Sequence, residues 1–333
     1  MKRIFLYLSL VLISNKLFAQ TDYNKLFREA ISSIETNYSG FADKTENKKE
    51  YYDFFLKKLL SNDLNSSKAL KDHIDKYLDF FDDNHLRRNT VDILTFIDKK
   101  TYQIDQFKFK MINENTCYLK IPHFMYKHKV DSLVNRSIDS ILCKRNLIID
   151  IRECRGGGDA SFNELLPIIA TNDIYVRAIE FLATKENWEF SQKFVNIGPW
   201  DEKLNGQFIK APWINSNKLI SPTYRFENRV NEFPKHIAVL IDGGVGSAAE
   251  QFVFCAKQSL KVKVFGDNTA GTYDYSNCRP FEVLKDSIYI QAPTTKLKGL
   301  PKNAIDKHGI APDFYLNSES QVEQILKYFK VWE

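Results

Sequence analysis

The sequence contains little of what marks a fibrous, low-complexity or disulfide-stapled protein. It has 13 glycines and 10 prolines in 333 residues, too few for a collagen-like or disordered chain. Its five cysteines are odd in number and show no C-x-x-C spacing, so a zinc ribbon and a dithiol redox site are excluded. The cysteines are spread through apolar and glycine-rich surroundings, which favours mostly buried free thiols over a disulfide framework.

An excess of charge of one sign is also missing. Lys and Arg number 47 against 42 Asp and Glu, a net charge of +5, and no basic run is long or interleaved with aromatic residues. We therefore expect no nucleic-acid partner. Apolar residues are abundant at 44%, with 14% aromatic, which is enough for a sizeable core. The length predicts two domains, or one large domain with an appendage.

The N-terminus has the pattern of a secretory signal peptide. Two basic residues precede the apolar run Ile4–Ile13, and Leu17–Ala19 offers a small-residue cleavage site. A membrane anchor would need about 20 uninterrupted apolar residues, whereas Ser14–Lys16 break this run. We expect residues 1–19 to be a signal peptide and the mature chain to be exported, periplasmic or secreted, with no stable membrane insertion after cleavage.

Two regions with different residue patterns follow this segment and define the predicted domains. Residues 20–82 carry apolar residues at helical spacing with polar breaks near 37–40 and 61–63, which predicts a small N-terminal domain of about three helices. Residues 83–333 alternate β-branched and aromatic runs with amphipathic stretches, which predicts an α/β domain. The predicted elements of its first half are strands at Val91–Ile97, Tyr102–Phe109 and Cys117–Ile121 and a helix at Val130–Leu142.

Two strand–glycine–helix units lie within the second region. The apolar run Asn146–Arg152 leads into a turn at Gly156–Gly158, followed by a helical pattern. The run His236–Asp242 leads into a turn at Gly243–Gly246 and a helix that starts at Ser247. Turns of this kind present unpaired backbone N–H groups at a helix start, where chemistry is often placed.

Three chemistries compete for these turns. A dinucleotide site lacks its third glycine, since Ser161 stands there, and a phosphate loop would need Gly-Lys-Ser/Thr, which the chain does not contain. Ser247 at a helix start, with the Ala248 amide beside it, suits acyl transfer, although serine is also a common helix N-cap. The α/β-hydrolase elbow is excluded because Val245 and Ala249 occupy its glycine positions.

Four short motifs occur in a fixed order along the second region. They are D-I-R-E-C-R-G-G at Asp150–Gly157, S-A-A-E at Ser247–Glu250, G-D-N-T-A-G at Gly266–Gly271 and G-I-A-P-D at Gly309–Asp313. In this order they resemble the signatures of the carboxy-terminal-processing and tricorn-core serine peptidases. The resemblance implies a crotonase-like β-β-α spiral core, a polypeptide or peptide substrate, and neither a metal nor an organic cofactor.

Departures from that family bear on the mechanism. Cys154 replaces the usual asparagine of the first motif, and the roughly 30 residues between His85 and Cys117 leave no room for a PDZ domain. Thr272 stands where the Ser/Lys branch of the family carries its lysine base, so a Ser/Lys dyad is not expected. The segment Asp83–Leu86 resembles the D-x-H motif of the tricorn-like branch, whose base is a histidine.

The resemblance to the histidine-base branch assigns the candidate catalytic residues. It makes Ser247 the nucleophile and His85 the general base and then the general acid. Asp306, three residues before Gly309, corresponds to the acidic residue of that branch. In that branch the acid reaches the histidine through the preceding residue, which is Asn84 in this chain.

The oxyanion of the acyl intermediate is expected to meet the Ala248 amide and the turn at Gly156 and Gly157. The backbone of that turn must approach the acyl group, so a Cβ there would clash. Glu250 fits a structural hydrogen-bonding role better than that of the acid. Two alternatives stay open, namely a non-catalytic ligand- or peptide-binding module on the same fold and an esterase with the same triad. The sequence does not fix the oligomeric state.

Overall fold

A computed structural model describes residues 21–89, 106–214, 218–220, 231–317 and 319–332, which form a mixed α/β structure. Its helices are α1 Tyr23–Asn37, α2 Phe41–Thr45, α3 Lys49–Leu60, α4 Ser67–Asp79, α5 Lys127–Leu142, α6 Leu166–Ile169, α7 Lys185–Ser191, α8 Ala248–Ala256 and α9 Gln321–Trp332, with 3₁₀ turns at Glu46–Lys48, Asp159–Phe162 and Glu202–Leu204. Its strands are β1 Arg87–Asn89, β2 Lys108–Asn113, β3 Thr116–Lys120, β4 Asn146–Asp150, β5 Ile174–Tyr175, β6 Ile179–Ala183, β7 Gln207–Lys210, β8 Lys218–Ile220, β9 His236–Ile241, β10 Val262–Gly266, β11 Tyr275–Leu284, β12 Ile288–Leu297 and β13 Phe314–Tyr315.

The helices predicted in the N-terminal region are present as α1, α3 and α4, with the short α2 between the first two. Side-chain caps fix where two of them begin. Asp22 accepts a hydrogen bond from the Lys25 amide ahead of α1 at 2.9 Å, and Ser66 accepts one from the Ala69 amide ahead of α4 at 3.2 Å. None of the described helices is long and apolar enough to span a membrane.

Strands β3, β4 and β9 and helix α5 occupy the positions that the sequence predicted for them. The helix expected after the first glycine turn is instead broken into the 3₁₀ turn Asp159–Phe162 and the short α6. Pro167 at the start of α6 explains the break, because it has no N–H to continue a helix that begins earlier. The predicted signal peptide, the predicted strand Val91–Ile97 and the first part of Tyr102–Phe109 lie outside the described residues.

The N-terminal helices share a core with one of the two large sheets. In that sheet β12 pairs with β11, β1 and β6, and β6 pairs in turn with β7. Ile288, Ile290 and Ala292 of β12 join the apolar cluster that contains Ile34 of α1 and Ile74 of α4. The helices therefore pack on a sheet formed by the second region, and the domain boundary near residue 82 stays a prediction.

The other large sheet carries the two strand–glycine–helix units. Its strand order is β13-β10-β9-β4-β3-β2, and all neighbours are parallel except β2 and β3. Every residue of β4 is buried, since α5 and α8 pack with Ile149 on one face and α9 packs with Ile148 on the other. Because β4 and β9 are parallel neighbours, the glycine turns that follow them meet at one edge of the sheet.

All five cysteines are free, as the sequence favoured. Cys117, Cys154 and Cys255 are buried, Cys278 is half-buried and Cys143 is exposed. Burial raises the pKa of the Cys154, Cys255 and Cys278 thiols to about 12 and that of Cys117 to about 11. These four thiols therefore stay protonated and unreactive at neutral pH.

These environments predict a single reactive thiol in the native protein. Iodoacetamide at pH 8 should alkylate Cys143 alone, and it should alkylate all five cysteines after denaturation without reductant, as counted by intact-mass spectrometry. The Cys143→Ser variant should stay unlabelled while folded. Labelling of Cys154 or Cys278 in the folded protein, or fewer than five free thiols after denaturation, would contradict the structure.

Candidate active site

Ser247 lies where the second glycine turn enters α8. Its backbone adopts φ 55° and ψ −125°, a conformation that residues with a Cβ rarely adopt, and its side chain is half-buried. Holding a residue in such a conformation costs on the order of 1–3 kcal/mol, and such residues concentrate at functional sites. The preceding turn is fixed through Asp242, whose carboxylate accepts the amides of Gly244 and Glu153 at 2.9 Å each.

Glu250, one turn into α8, holds this strained serine in place. Its carboxylate is fully buried and accepts hydrogen bonds from the amides of Ser247, Gly271 and Thr272 and from the hydroxyls of Thr269 and Thr272, at 2.6 to 3.1 Å. The Ser247 amide also donates to the Thr272 hydroxyl oxygen at 2.8 Å. The predicted structural role of Glu250 is confirmed, and Thr272 is a member of the same network.

The first glycine turn lies directly against Ser247. Gly156 and Gly157 both have positive φ, +92° and +145°. A Cβ on Gly156 would lie 2.9 Å from both the Ala248 nitrogen and the Ser247 Cβ, so only glycine leaves this space open. A Cβ on Gly157 would instead collide with the Phe124 carbonyl carbon at 2.2 Å. Within the described residues, the Gly157 and Ala248 amides donate to no protein acceptor.

A buried carboxylate fixes the end of β4 ahead of this turn. Asp150 accepts hydrogen bonds from Lys120 at 3.0 Å and from the Arg152 guanidinium at 2.6 Å. Burial alone raises the pKa of Asp150, but the Arg152 hydrogen bonds and the Lys120 charge outweigh it and hold that pKa below its ordinary value. The next residues tie the two turns together, since the Gly246 amide donates to the Cys154 carbonyl at 3.0 Å.

His85 lies in the turn ahead of β1 and is half-buried. Its Nδ1 is 2.6 Å from the Tyr275 carbonyl oxygen, and its amide donates to Asp83 Oδ1 at 2.8 Å. The Tyr38 hydroxyl donates to the other oxygen of Asp83 at 2.7 Å. Because a carbonyl oxygen can only accept, Nδ1 carries a proton, and Nε2 of the neutral ring is left as the proton acceptor.

The segment Thr272–Tyr275 contacts both Ser247 and His85. Its first residue accepts the Ser247 amide, and the carbonyl of its last residue accepts the Nδ1 hydrogen bond of His85. Three residue steps span at most about 11 Å. The structure therefore ties the predicted nucleophile and the predicted base to the two ends of one short stretch of chain.

Asp306 and Asn84 are the residues predicted to support His85, and neither has a described hydrogen bond to its ring. The Asp306 carboxylate pairs with Lys44 at 2.7 Å, and the Asp306 amide donates to Asp274. Burial raises the pKa of the Asp306 carboxyl to about 7, against the lowering effect of Lys44. The Asn84 side chain is exposed and makes no hydrogen bond within the described residues. A relay from His85 through Asn84 to Asp306 is not among the described contacts and stays a prediction.

The other histidines have the solvated or structural surroundings that the sequence suggested. His128 and His308 are exposed, His73 bonds to a carbonyl of its own helix, and His123 and His236 pack against aromatic rings.

Sequence reasoning missed Tyr38, Lys44 and Tyr275. Tyr275 contacts the base through its backbone carbonyl, which any residue type would provide, so no sequence pattern marks it. Lys44 lies 262 positions from its partner Asp306 and belongs to no motif.

Comparison with known proteins shows the family to which this chain belongs. A model of peptidase family S41 matches residues 115–316. A nisin-resistance protein of Lactococcus lactis subsp. lactis is 25% identical over 227 residues, which cover 66% of this chain and 63% of that protein. The chain thus spans less than two thirds of the length of this relative. The chain belongs to peptidase family S41.

Solved structures show the same fold at low sequence identity. A lipoprotein from Streptococcus agalactiae is 16% identical, with a TM-score of 0.55 over 94% of this chain and 98% of that one. A candidate peptidase from Parabacteroides merdae is 18% identical, with a TM-score of 0.59 over 92% and 93%. Mature CPAF is 10% identical, with a TM-score of 0.56 over 89% and 92%. At these identities the likeness concerns the fold alone.

The close approach of Gly156 to Ser247 generates a prediction with a matched control. Gly156→Ala should lower kcat/KM by about 100-fold or more, the loss typical of one oxyanion donor, because its methyl group would enter the space beside the Ala248 amide. Gly158→Ala, two residues on, should stay near wild type, since its Cβ would meet nothing closer than 3.9 Å and its φ is −98°. Equal activity of the two folded variants would contradict the placement of this turn.

Proposed function

We propose that this protein is an exported serine peptidase in which Ser247 is the nucleophile and His85 is the general base. The observation that carries the proposal is the hydrogen bond from His85 Nδ1 to the Tyr275 carbonyl, on the segment that also accepts the Ser247 amide. That bond selects the tautomer whose Nε2 can take a proton from a serine hydroxyl. A serine hydroxyl is a weak nucleophile until such a base is positioned beside it.

Acylation follows from these positions. His85 Nε2 takes the Ser247 hydroxyl proton while Oγ bonds to the scissile carbonyl carbon. The charge that develops on the carbonyl oxygen is stabilised by the Ala248 amide and the amides of the Gly156–Gly157 turn. The C–N bond then breaks as Nε2 gives its proton to the leaving amine, and the acyl group stays on Ser247 as an ester.

Deacylation repeats the same proton transfers with water. His85 Nε2 deprotonates a water molecule, which adds to the ester carbonyl, and the proton returns to Ser247 Oγ as the acyl–oxygen bond breaks. The products are a free carboxylate and the regenerated enzyme. Family membership implies a peptide as substrate.

The surroundings of the site support a histidine base over a lysine base. Thr272 stands where the Ser/Lys branch has its lysine, and its hydroxyl bonds to Glu250. The nearby Lys44 and Lys296 are both committed to ion pairs, at 2.7 and 3.0 Å from their carboxylate partners. A lysine base must be uncharged, and an ion pair favours the charged form.

The wider proposal covers architecture and location. We assign residues 83–333 to a crotonase-like spiral core and residues 20–82 to a small helical domain packed on it. Export is supported by the predicted signal peptide and by the likeness to a lipoprotein and to a nisin-resistance protein. The roles of Asn84 and Asp306 in a relay behind His85 remain part of the proposal without a described contact between them.

A fluorophosphonate probe tests the two central residues. Wild type should form an adduct on Ser247, found by mass spectrometry of its tryptic peptide, and Ser247→Ala should form none. His85→Ala should lower both probe labelling and hydrolysis of quenched-fluorescent peptides by about 1,000-fold or more. His308→Ala, which removes an exposed histidine, should stay near wild type.

Each alternative has its own outcome in the same experiment. Labelling that persists in Ser247→Ala overturns the nucleophile, and activity that survives His85→Ala overturns the base. Adduct formation with turnover of aryl esters but of no peptide in the library favours an esterase. A folded wild type that forms no adduct favours a non-catalytic binding module.

A further inference from the structure

The short helix α2 reaches the site from a part of the chain that precedes the region matched by the family model. The turn before it is bonded to strand β12, with the Ser39 amide 3.0 Å from the Pro293 carbonyl and the Ser39 hydroxyl 2.8 Å from the Thr295 carbonyl. These bonds fix α2 against the sheet whose strand β11 begins at Tyr275.

Two adjacent residues of α2 contact the Tyr275 side chain. The Tyr275 hydroxyl donates to Asp43 at 3.3 Å, and the Lys44 ammonium lies 5.2 Å from the centre of the Tyr275 ring. The Tyr38 ring packs on the same tyrosine with a centroid distance of 6.0 Å. The N-terminal helices therefore hold the side chain of Tyr275, whose backbone carbonyl orients His85.

Each of the two α2 residues also forms an ion pair that is largely shielded from solvent. Asp43 accepts two hydrogen bonds from Lys296, both 3.0 Å, with the side chains 9% and 11% exposed. Lys44 pairs with Asp306 at 2.7 Å, with the side chains 19% and 11% exposed. Removing one partner of such a pair leaves the other charge shielded from water and uncompensated. These pairs therefore fix the positions of their side chains more strongly than solvent-exposed pairs do.

We propose that Asp43 and Lys44 are positioning residues of the active site, which clamp Tyr275 so that its carbonyl holds His85 in the tautomer that can act as base. This proposal rests on the proposed function of His85. It makes the N-terminal helices a part of the catalytic site, and it gives Asp306 a role through Lys44 and Tyr275 that requires no contact with Asn84.

Asp43 and Lys44, the clamp of this site, act on His85 through the backbone of Tyr275. Asp43 and Lys44 fix the ring of Tyr275, and the ring fixes the first residue of β11, whose carbonyl accepts the His85 Nδ1 proton. Further ionisable groups of the described residues near this tyrosine and His85 include Tyr38, Asp83, Asp274, Cys278, Lys296 and Asp306. A displacement of about 1 Å at a catalytic group is enough to cost about 100-fold in rate.

The test compares Lys44→Met and Lys44→Arg with the matched control Lys49→Met. Lys49 lies on α3 and forms an exposed pair with Asp53, whose side chains are 73% and 55% exposed. Lys44→Met should lower kcat by about 10- to 100-fold with KM within about twofold, because the proposed effect is on His85, which acts in the chemical step. Lys44→Arg should restore most of kcat, and Lys49→Met should match wild type.

A second readout does not depend on activity. Proton NMR of histidine-labelled protein should show a downfield Nδ1–H signal, assigned to His85 by its loss in His85→Gln. This signal should broaden or disappear in Lys44→Met and persist in Lys44→Arg and Lys49→Met. Asp43→Asn, which conserves side-chain size, should give the same loss of signal as Lys44→Met. It serves as the test if Lys44→Met does not fold.

The two proposals fail in different ways. A wild-type protein that shows the Nδ1–H signal and its loss in Lys44→Met, yet has no Ser247-dependent activity, keeps the clamp and overturns the catalytic assignment. Folded Lys44→Met and Asp43→Asn variants that keep the wild-type signal and wild-type kcat overturn the clamp and leave the catalytic assignment standing.

Discussion

The buried carboxylate of Glu250 is the interaction on which the arrangement of this site depends. It is fully shielded from solvent, and the partners described for it are amide and hydroxyl donors with no cation among them. A buried charge of this kind is tolerated only when hydrogen bonds replace its hydration. The bonds join the start of α8 to residues 269–272, so the position of Ser247 and the course of the chain toward Tyr275 are set together.

Two parts of the chain that are far apart in the sequence meet at Ser247. Parallel pairing of β4 with β9 brings both glycine turns to one sheet edge, and the Gly246 amide bonds across to Cys154. Gly309 packs tightly against the segment 269–272, since a Cβ there would lie 2.0 Å from the Thr269 carbonyl oxygen. The motifs separated along the sequence thus form one contiguous set of turns around the serine.

Much of this could be predicted from the sequence because the signals are local. The all-buried strand Asn146–Asp150 follows from its short apolar run, whereas the glycines beside Ser247 and the hydrogen-bonding role of Glu250 were expected from the resemblance of their motifs to the peptidase family. The orientation of His85 could not be predicted, since it depends on a backbone carbonyl 190 positions away. The pairing of Asp306 with Lys44 was equally hidden, because tertiary packing and not a motif brings α2 to the acid.

A crystal structure of the fluorophosphonate adduct is the decisive test of whether Ser247, His85 and the glycine turn form one acyl-transfer site. Phosphorus should be bonded to Ser247 Oγ, with the phosphoryl oxygen about 2.7–3.1 Å from the Ala248 amide and an amide of the Gly156–Gly157 turn. His85 Nε2 should lie within about 3.2 Å of an oxygen of the adduct, with Nδ1 still bonded to the Tyr275 carbonyl. An adduct on another residue, a phosphoryl oxygen turned to solvent, or a His85 ring beyond hydrogen-bond reach of the adduct would contradict it.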